Sequence, residues 1–143
     1  MAATVFDLEF VTPEREVFHG RVRSVVFPAA DGLMGVLPNH APMLSAVEMG
    51  ELRVVEESGK EKLLFVSDGF LEVSDNLCRI LADVGERAED IDVERARRAE
   101  QRARERLKKR KEAKSEVDFL RAELALRRAL QRLHVARDSQ RNS

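Results

Sequence analysis

Arg128 and Arg132 stand four residues apart in a stretch of helix-forming composition, and on a helix that spacing puts both guanidinium groups on one face. Guanidinium forks suit phosphate oxygens, which they meet with paired, charge-assisted hydrogen bonds. Arg95 and Arg102 lie on an upstream stretch of the same composition and would join them if two helices folded face to face. Nucleotide phosphates, nucleic acid and an acidic protein surface are the partners open to such a set. The plain structural alternative is a solvated face, because an arginine every few residues is what this composition yields anyway. No reaction chemistry accompanies the arginines. The chain has no Gly-rich phosphate loop of the G-x-x-x-x-G-K type and no constellation for activating water, so a bound nucleotide would be a ligand and not a substrate. His40 lacks a second ligand at metal spacing, and His19 and His134 lie far away in sequence, so no metal site is expected. The single Cys78 excludes an intrachain disulfide and sits in an apolar alternation, as a small buried side chain does.

The elements that must position these arginines divide the chain in two. Residues 1–91 carry 8 Lys and Arg against 17 Asp and Glu, a net of −9, whereas residues 92–143 carry 17 against 9, a net of +8. The formal charge of −1 for all 143 residues hides this division, which is expected where two modules meet different partners. No run approaches the roughly 20 apolar residues of a membrane-spanning helix, and the N-terminus lacks a basic region followed by an apolar stretch. Any membrane association is therefore expected to be indirect.

In the acidic half Phe6, Leu8 and Phe10 alternate with Asp7 and Glu9, the pattern of a half-buried strand that Pro13 ends. Further β-rich runs follow at Arg21–Phe27, Glu51–Val55, Lys62–Val66, Phe70–Val73 and Leu77–Ala82. Turn signals separate them at Asp31-Gly32, Ser58-Gly59, Asp68-Gly69 and Asp75-Asn76. Many short strands predict a sandwich or barrel. Both faces of Leu77–Ala82 are largely apolar, which predicts a central strand. The Gly35-Val36-Leu37-Pro38-Asn39-His40-Ala41-Pro42 segment reads as a tight, low-entropy loop.

After Gly85, Ala, Arg, Glu and Leu dominate and Pro and Gly are absent, which is helix-forming material. Asp92 is placed as an N-cap before a helix with Val93, Ala96, Ala99, Ala103 and Leu107 on one face. The Lys108–Lys114 run is the expected connection, and Ser115-Glu116-Val117-Asp118 resembles a capping box opening a second helix. That helix presents Phe119, Ala122, Leu126, Leu130 and Leu133. Two such stripes can close into an antiparallel hairpin, thin in apolar area and therefore marginal. The predicted fold class is α+β: an N-terminal antiparallel β-sandwich over 1–88, a C-terminal antiparallel two-helix hairpin over 89–137, and a flexible tail over 138–143.

The order of Val11-Thr12-Pro13, Gly32-Leu33-Met34-Gly35-Val36-Leu37-Pro38-Asn39-His40-Ala41-Pro42, Gly69-Phe70-Leu71-Glu72-Val73, Leu81-Ala82-Asp83 and Glu86-Arg87-Ala88-Glu89-Asp90-Ile91-Asp92 resembles the epsilon subunits of F-type (F1Fo) ATP synthases over nearly the whole chain. The resemblance implies a non-catalytic subunit of the central stalk that couples F1 to the c-ring of a proton- or sodium-driven enzyme. Its sandwich would grip the gamma subunit and the c-ring. Its two helices would fold down or extend, and the extended form would bring Arg121, Arg127, Arg128 and Arg132 into the alpha/beta hexamer to obstruct hydrolysis. It also implies a peripheral position on the cytoplasmic face of a bacterial inner membrane, or on the stromal face of a thylakoid. Ile91-Asp92-Val93-Glu94-Arg95-Ala96 matches the Ile-Asp-x-x-Arg-Ala signature that helps some bacterial members bind a regulatory ATP. By the same resemblance the ATP-binding set is Glu86, Ile91, Asp92, Arg95, Ala96, Arg102, Arg128 and Arg132; no cofactor is required and the regulatory ATP is optional. A basic nucleic-acid-binding module fused to a β domain is the competing reading. Against it, acidic residues from Glu94 to Glu123 interleave with the basic ones, and Phe119 alone offers a ring for base stacking there.

Overall fold

The computed structural model describes residues 3–109 and 116–142. Seven strands form its N-terminal part: β1 (Phe6–Val11), β2 (Glu16–Ala29), β3 (Gly32–Val36), β4 (Met43–Val47), β5 (Gly50–Glu56), β6 (Glu61–Ser74) and β7 (Leu77–Arg87). The predicted alternation of β1 holds, with Phe6, Leu8 and Phe10 buried and Asp7 exposed. Hydrogen bonding runs β1-β7-β6-β5-β2-β3, and β1 pairs with β2 as well, so the sheet closes on itself around one core, sandwich-like. Leu8, Phe10, Val22, Val25, Phe27, Leu52, Leu64 and Ile80 meet there with no exposed area.

The strand inventory corrects the expectation from sequence in four places. The β1–β7 pair is parallel, Leu8 opposite Cys78 and Phe10 opposite Ile80, so the sheet is not wholly antiparallel. The sequence reading assigned no strand to β3 or β4; the loop read over Gly35–Pro42 holds from Leu37 to Pro42, while Gly35 and Val36 end β3 and Met43 opens β4 directly after it. Asp68-Gly69 is not a turn but a kink inside the continuous β6. There the neighbour along one edge changes from β5, whose Gly50 faces Val66, to β4, whose Val47 faces Gly69. Asp68 takes a left-handed φ of 49°, and a Cβ on Gly69 would collide with the Leu81 carbonyl and lie 2.8 Å from Ala82 Cα. Glycine is thus needed at 69 for close approach. Finally, β7 is central in pairing but buried on one face only: Cys78, Ile80 and Ala82 point inward, while Leu81 is 51% exposed. By contrast, Asp75 and Asn76, with φ of 51° and 59°, make the two-residue hairpin turn between Ser74 and Leu77 that the sequence announced.

A 3₁₀ turn, Ala88–Asp90, leads from β7 into α1 (Val93–Lys108), and α2 (Glu116–Arg141) runs back along it. Ala88, Ile91 and Val93 at the start of this region pack with Val135 and Ala136 near the end of α2, which fixes the two helices as antiparallel. Of the connection expected over Lys108–Lys114, Lys108 is still the last residue of α1 and Lys109 follows it; 110–114, and Ser115 of the capping box, lie outside the described residues, and Glu116–Asp118 open α2. α1 buries Ala96 and Ala103 as its stripe predicts. α2 follows its stripe only in part: Ala122 is buried and Phe119, Leu126 and Leu133 are half-buried, but Leu130 stays 39% exposed, and Ala129, Val135 and Ala136, which the stripe omitted, are buried. Alanine wins these positions because short side chains let helix axes approach closely. The tail expected from 138 onward is corrected too. Helix continues to Arg141, held by Asn142 Nδ2 donating to Glu61 Oε1 at 2.8 Å.

The hairpin lies against the sandwich. Leu63 and Phe65 point out of β6 into the cluster of Ala88, Ile91, Val135 and Ala136, while Leu64 and Val66 point into the main core. The unbroken run Leu63-Leu64-Phe65-Val66 is the sequence trace of a strand covered on both faces.

Candidate functional site

Three features can do work at the surface: the start of the hairpin, a polar cluster under the end of α2, and an apolar face on the far sheet edge.

At the first, β7 carries Glu86 directly across from Phe65 of β6. Arg132 of α2 reaches over both. Its Nε donates to Glu86 Oε1 at 2.6 Å, and its guanidinium carbon stands 4.8 Å from the Phe65 ring centroid, within cation–π range. Arg87 beside it donates from Nε to the Val17 carbonyl at 2.9 Å, which fixes the end of β7. Asp92 caps α1, its Oδ1 accepting from the Arg95 backbone N–H at 3.0 Å. Ile91 and Ala96 are buried, the first under α2 and the second against it. Of the eight residues in the expected ATP set, the structure therefore brings together Glu86 with Arg132 and Asp92 with Arg95, and gives Ile91 and Ala96 packing roles. Arg95, Arg102 and Arg128 are exposed, and their guanidinium groups have no ion pair among the described residues. The arrangement offers free cationic forks on both helices, with one fork, Arg132, already neutralised by a carboxylate.

The second feature was not anticipated. Glu51 and Arg53 of β5, Glu61 of β6, and His134 and Asp138 of α2 converge where the hairpin end meets the sheet. Arg53 donates to Glu51 Oε1 at 3.0 Å. His134 Nε2 lies 3.2 Å from Asp138 Oδ2 and 3.6 Å from Glu51 Oε2. Burial pushes the Glu51 carboxyl above its ordinary range; the Arg53 hydrogen bond pulls the other way, and nearby Asp138 adds to the rise. The hydrogen bond to Glu51 raises Arg53 in turn. His134 and Asp138 share a helix face at four-residue spacing, which the sequence did show; only the fold adds Glu51, 83 residues upstream of His134.

The third feature is a row across β4, β6 and β7, where Ala46 pairs with Phe70 and Phe70 with Leu81. Phe70 is 61% and Leu44 72% exposed, and beside Phe70 a groove of about 710 Å³ has apolar walls from Val11, Ala46 and Leu81 together with the carboxylates of Glu48, Asp68 and Asp83. Adjoining large apolar side chains left in solvent mark a docking surface. His40 belongs to neither polar site: it is half-buried, and its Nδ1 approaches the Ala41 carbonyl at 2.6 Å. The neighbouring Asn39 backbone N–H donates to Asn76 Oδ1 at 2.9 Å, pinning that loop to the β6–β7 turn.

Comparison with known proteins agrees with this two-part architecture. Residues 5–88 match the family model described as ATP synthase, Delta/Epsilon chain, beta-sandwich domain, and residues 89–137 match ATP synthase, Delta/Epsilon chain, long alpha-helix domain. The chain is 47% identical over 129 residues to the ATP synthase epsilon chain of Desulforamulus reducens, covering 90% of this chain and 95% of the relative. It is 49% identical over 128 residues to that of Nitratidesulfovibrio vulgaris, covering 90% and 92%. Among solved structures, a chain of the Euglena gracilis mitochondrial ATP synthase (OSCP, F1 and c-ring, rotational state 1) has the same fold, with a TM-score of 0.75, 24% identity, and 88% and 78% of the two chains covered. With both halves matched in order and full-length relatives well above 30% identity, the chain belongs to the ATP synthase delta/epsilon family, among its epsilon chains.

Proposed function

We propose that the chain serves in the central stalk of a rotary ATP synthase, where its sandwich docks on the gamma subunit and the c-ring and its hairpin restrains ATP hydrolysis according to ATP supply. It is a structural and regulatory subunit, peripheral to the membrane and placed on the cytoplasmic face in a bacterial cell. The apolar face of Leu44, Phe70 and Leu81 is the surface suited to the stalk and ring.

The observation that carries the regulatory part is how little holds the hairpin down. Among the described residues its contacts with the sandwich centre on one cluster of six buried residues, the Glu86–Arg132 pair, and the polar contacts of His134 with Glu51 and of Asn142 with Glu61, while the beginning of α2 leaves apolar side chains in solvent. Val117, Leu120 and Leu124, at helical spacing on α2, are 55%, 51% and 45% exposed. An extended hairpin would bury this ridge against the alpha/beta hexamer, with Arg121, Arg127 and Arg128 beside it. Elements that move come from the weakly held end of a structure. ATP bound through Arg95, Arg102, Arg128 and Arg132 would bridge the two helices and favour the folded-down form by the difference in its affinity for the two states.

The test has two arms. Truncation after Asp90 in the reconstituted enzyme raises ATP hydrolysis if the hairpin restrains it; unchanged hydrolysis refutes inhibition. Calorimetric titration of the isolated chain with ATP shows saturable binding that the R128A/R132A double variant loses; absence of binding refutes nucleotide sensing and leaves stalk assembly standing.

A further inference from the structure

We propose that Glu51, His134 and Asp138 form a binding site for a divalent transition-metal ion, zinc in the first place, that clamps the end of α2 to β5. One imidazole nitrogen and two carboxylate oxygens lie within 4.8 Å of one another, with His134 Nε2 at 3.2 Å from Asp138 Oδ2 and 3.6 Å from Glu51 Oε2. Ligands about 2.0–2.1 Å from a tetrahedral zinc ion stand roughly 3.4 Å from each other, so small rotations bring all three into bonding range. An imidazole with carboxylates is a donor set that zinc accepts readily. His134 and Asp138 come from consecutive turns of one helix and need no backbone movement to chelate together.

Glu51 is the informative member. Its Oε2 is buried and takes no hydrogen bond within 3.5 Å from a nitrogen among the described residues, facing His134 Nε2 at 3.6 Å and the Asp138 carboxyl, while Arg53 holds the other oxygen, Oε1, at 3.0 Å. A buried acceptor left open is costly, and a metal ion is a partner that satisfies it. Arg53 orients the carboxylate in the way outer groups orient metal ligands. Its positive charge opposes the ion, but two carboxylates outweigh one guanidinium. His134 is about half exposed, so the ion has an entry path and a face open to water as fourth ligand.

Because the ligands come from both halves of the chain, only the folded-down hairpin presents all three. Zinc at a hundred times its dissociation constant would lower the population of the undocked hairpin about a hundredfold.

The full-length protein, stripped with a chelator, is titrated with zinc in competition with a chromophoric chelator, and amide exchange over the last turns of α2 is followed with and without the ion. The proposal expects one zinc per chain, binding lost in H134A, binding weakened at least tenfold in E51Q and in D138N, and slower exchange only where zinc binds. An H19A/H40A double variant retains the site. Circular dichroism checks that each variant keeps its fold. Absence of binding, leaving His134 as an ordinary ion-pair partner, overturns the proposal; so does binding that follows His19 and His40. Equal affinity in E51Q and the parent chain also overturns it, because the ion would then sit on α2 alone and clamp nothing.

Discussion

Replacing Arg132 by Ala tests whether the hairpin is latched by the contact that the structure shows. Arg132 makes a short ion pair with Glu86 at 2.6 Å, the two side chains being 29% and 22% exposed, and stacks at 4.8 Å over Phe65. A partly shielded pair with good geometry contributes about 1 kcal/mol, the upper part of the range for surface pairs. The cation–π contact adds about 0.5–1 kcal/mol, and Glu86 left beneath α2 without its donor adds a few tenths more. The sum, about 2 kcal/mol, corresponds to a roughly 30-fold shift of the docked hairpin toward undocking. Hydrogen exchange over residues 129–141 reads this shift as a comparable acceleration, while amides of β1 and β7 keep their protection. Arg132→Lys keeps the charge but loses the fork and most of the stacking, so it falls between. In a double-mutant cycle with Glu86→Gln the coupling should reach about 1 kcal/mol. Unchanged exchange in α2, or additive effects in the cycle, would refute the latch.

Three further outcomes follow from particular residues. Gly69→Ala should unfold or strongly destabilise the sandwich, by more than 3 kcal/mol in denaturant titration, because its Cβ has no room beside Leu81 and Ala82. Burial pushes the Cys78 thiol up to about 12, so at pH 8 it should resist a thiol reagent in the native chain and react at once on denaturation; rapid native labelling contradicts the buried placement in β7. Asp92→Ala removes the side-chain acceptor for the Arg95 N–H and should cost about 1 kcal/mol, seen as faster exchange in the first turn of α1, whereas Asp92→Asn retains most of the cap.

The sequence discloses this fold where local chemistry is decisive and hides it where neighbours decide. Asp75-Asn76 marks its hairpin because both residues tolerate positive φ, and Asp92 marks the start of α1 because its side chain accepts from a first-turn backbone N–H. Asp68-Gly69 carries the same turn chemistry yet kinks a continuous strand; the reason is the crossing of β4 and β5 along β6, which no window around residue 68 contains. Gly32–Val36 and Met43–Val47 went unassigned because apolar residues stand on both of their faces: Leu33 and Leu44 are 74% and 72% exposed while Val36 and Val47 are buried, so neither segment shows the alternation that signals a half-buried strand. On α2 the expected stripe holds at Ala122, but Leu126 and Leu133 are only half-buried and Leu130 is exposed, while Ala129, Val135 and Ala136 are buried, since spacing between helices and not hydrophobicity alone selects what is buried. The site was legible in part. Arg128 and Arg132 share a helix as their spacing required, whereas the Glu86–Arg132 contact joins residues 46 apart and depends on the docking of α2.

That contact also constrains how any phosphate can act on the hairpin. In the folded-down state Arg132 is already bound to Glu86 and Phe65, so a phosphate reaching it must share the guanidinium or displace the carboxylate. Displacement would weaken the latch to the sandwich while Arg95, Arg102 and Arg128, exposed and free of ion pairs among the described residues, tie the two helices to each other through the same ligand. Sharing is the better arrangement, because Glu86 engages Nε and leaves the terminal nitrogens of the fork for an anion. A ligand bound in that way adds helix-to-helix contacts without giving up helix-to-sheet ones, and so favours the docked hairpin twice over. Glu86→Gln separates the cases: it weakens docking in both, but under sharing the docked form's anion affinity stays nearly unchanged, whereas under displacement it rises by about the coupling lost from the pair.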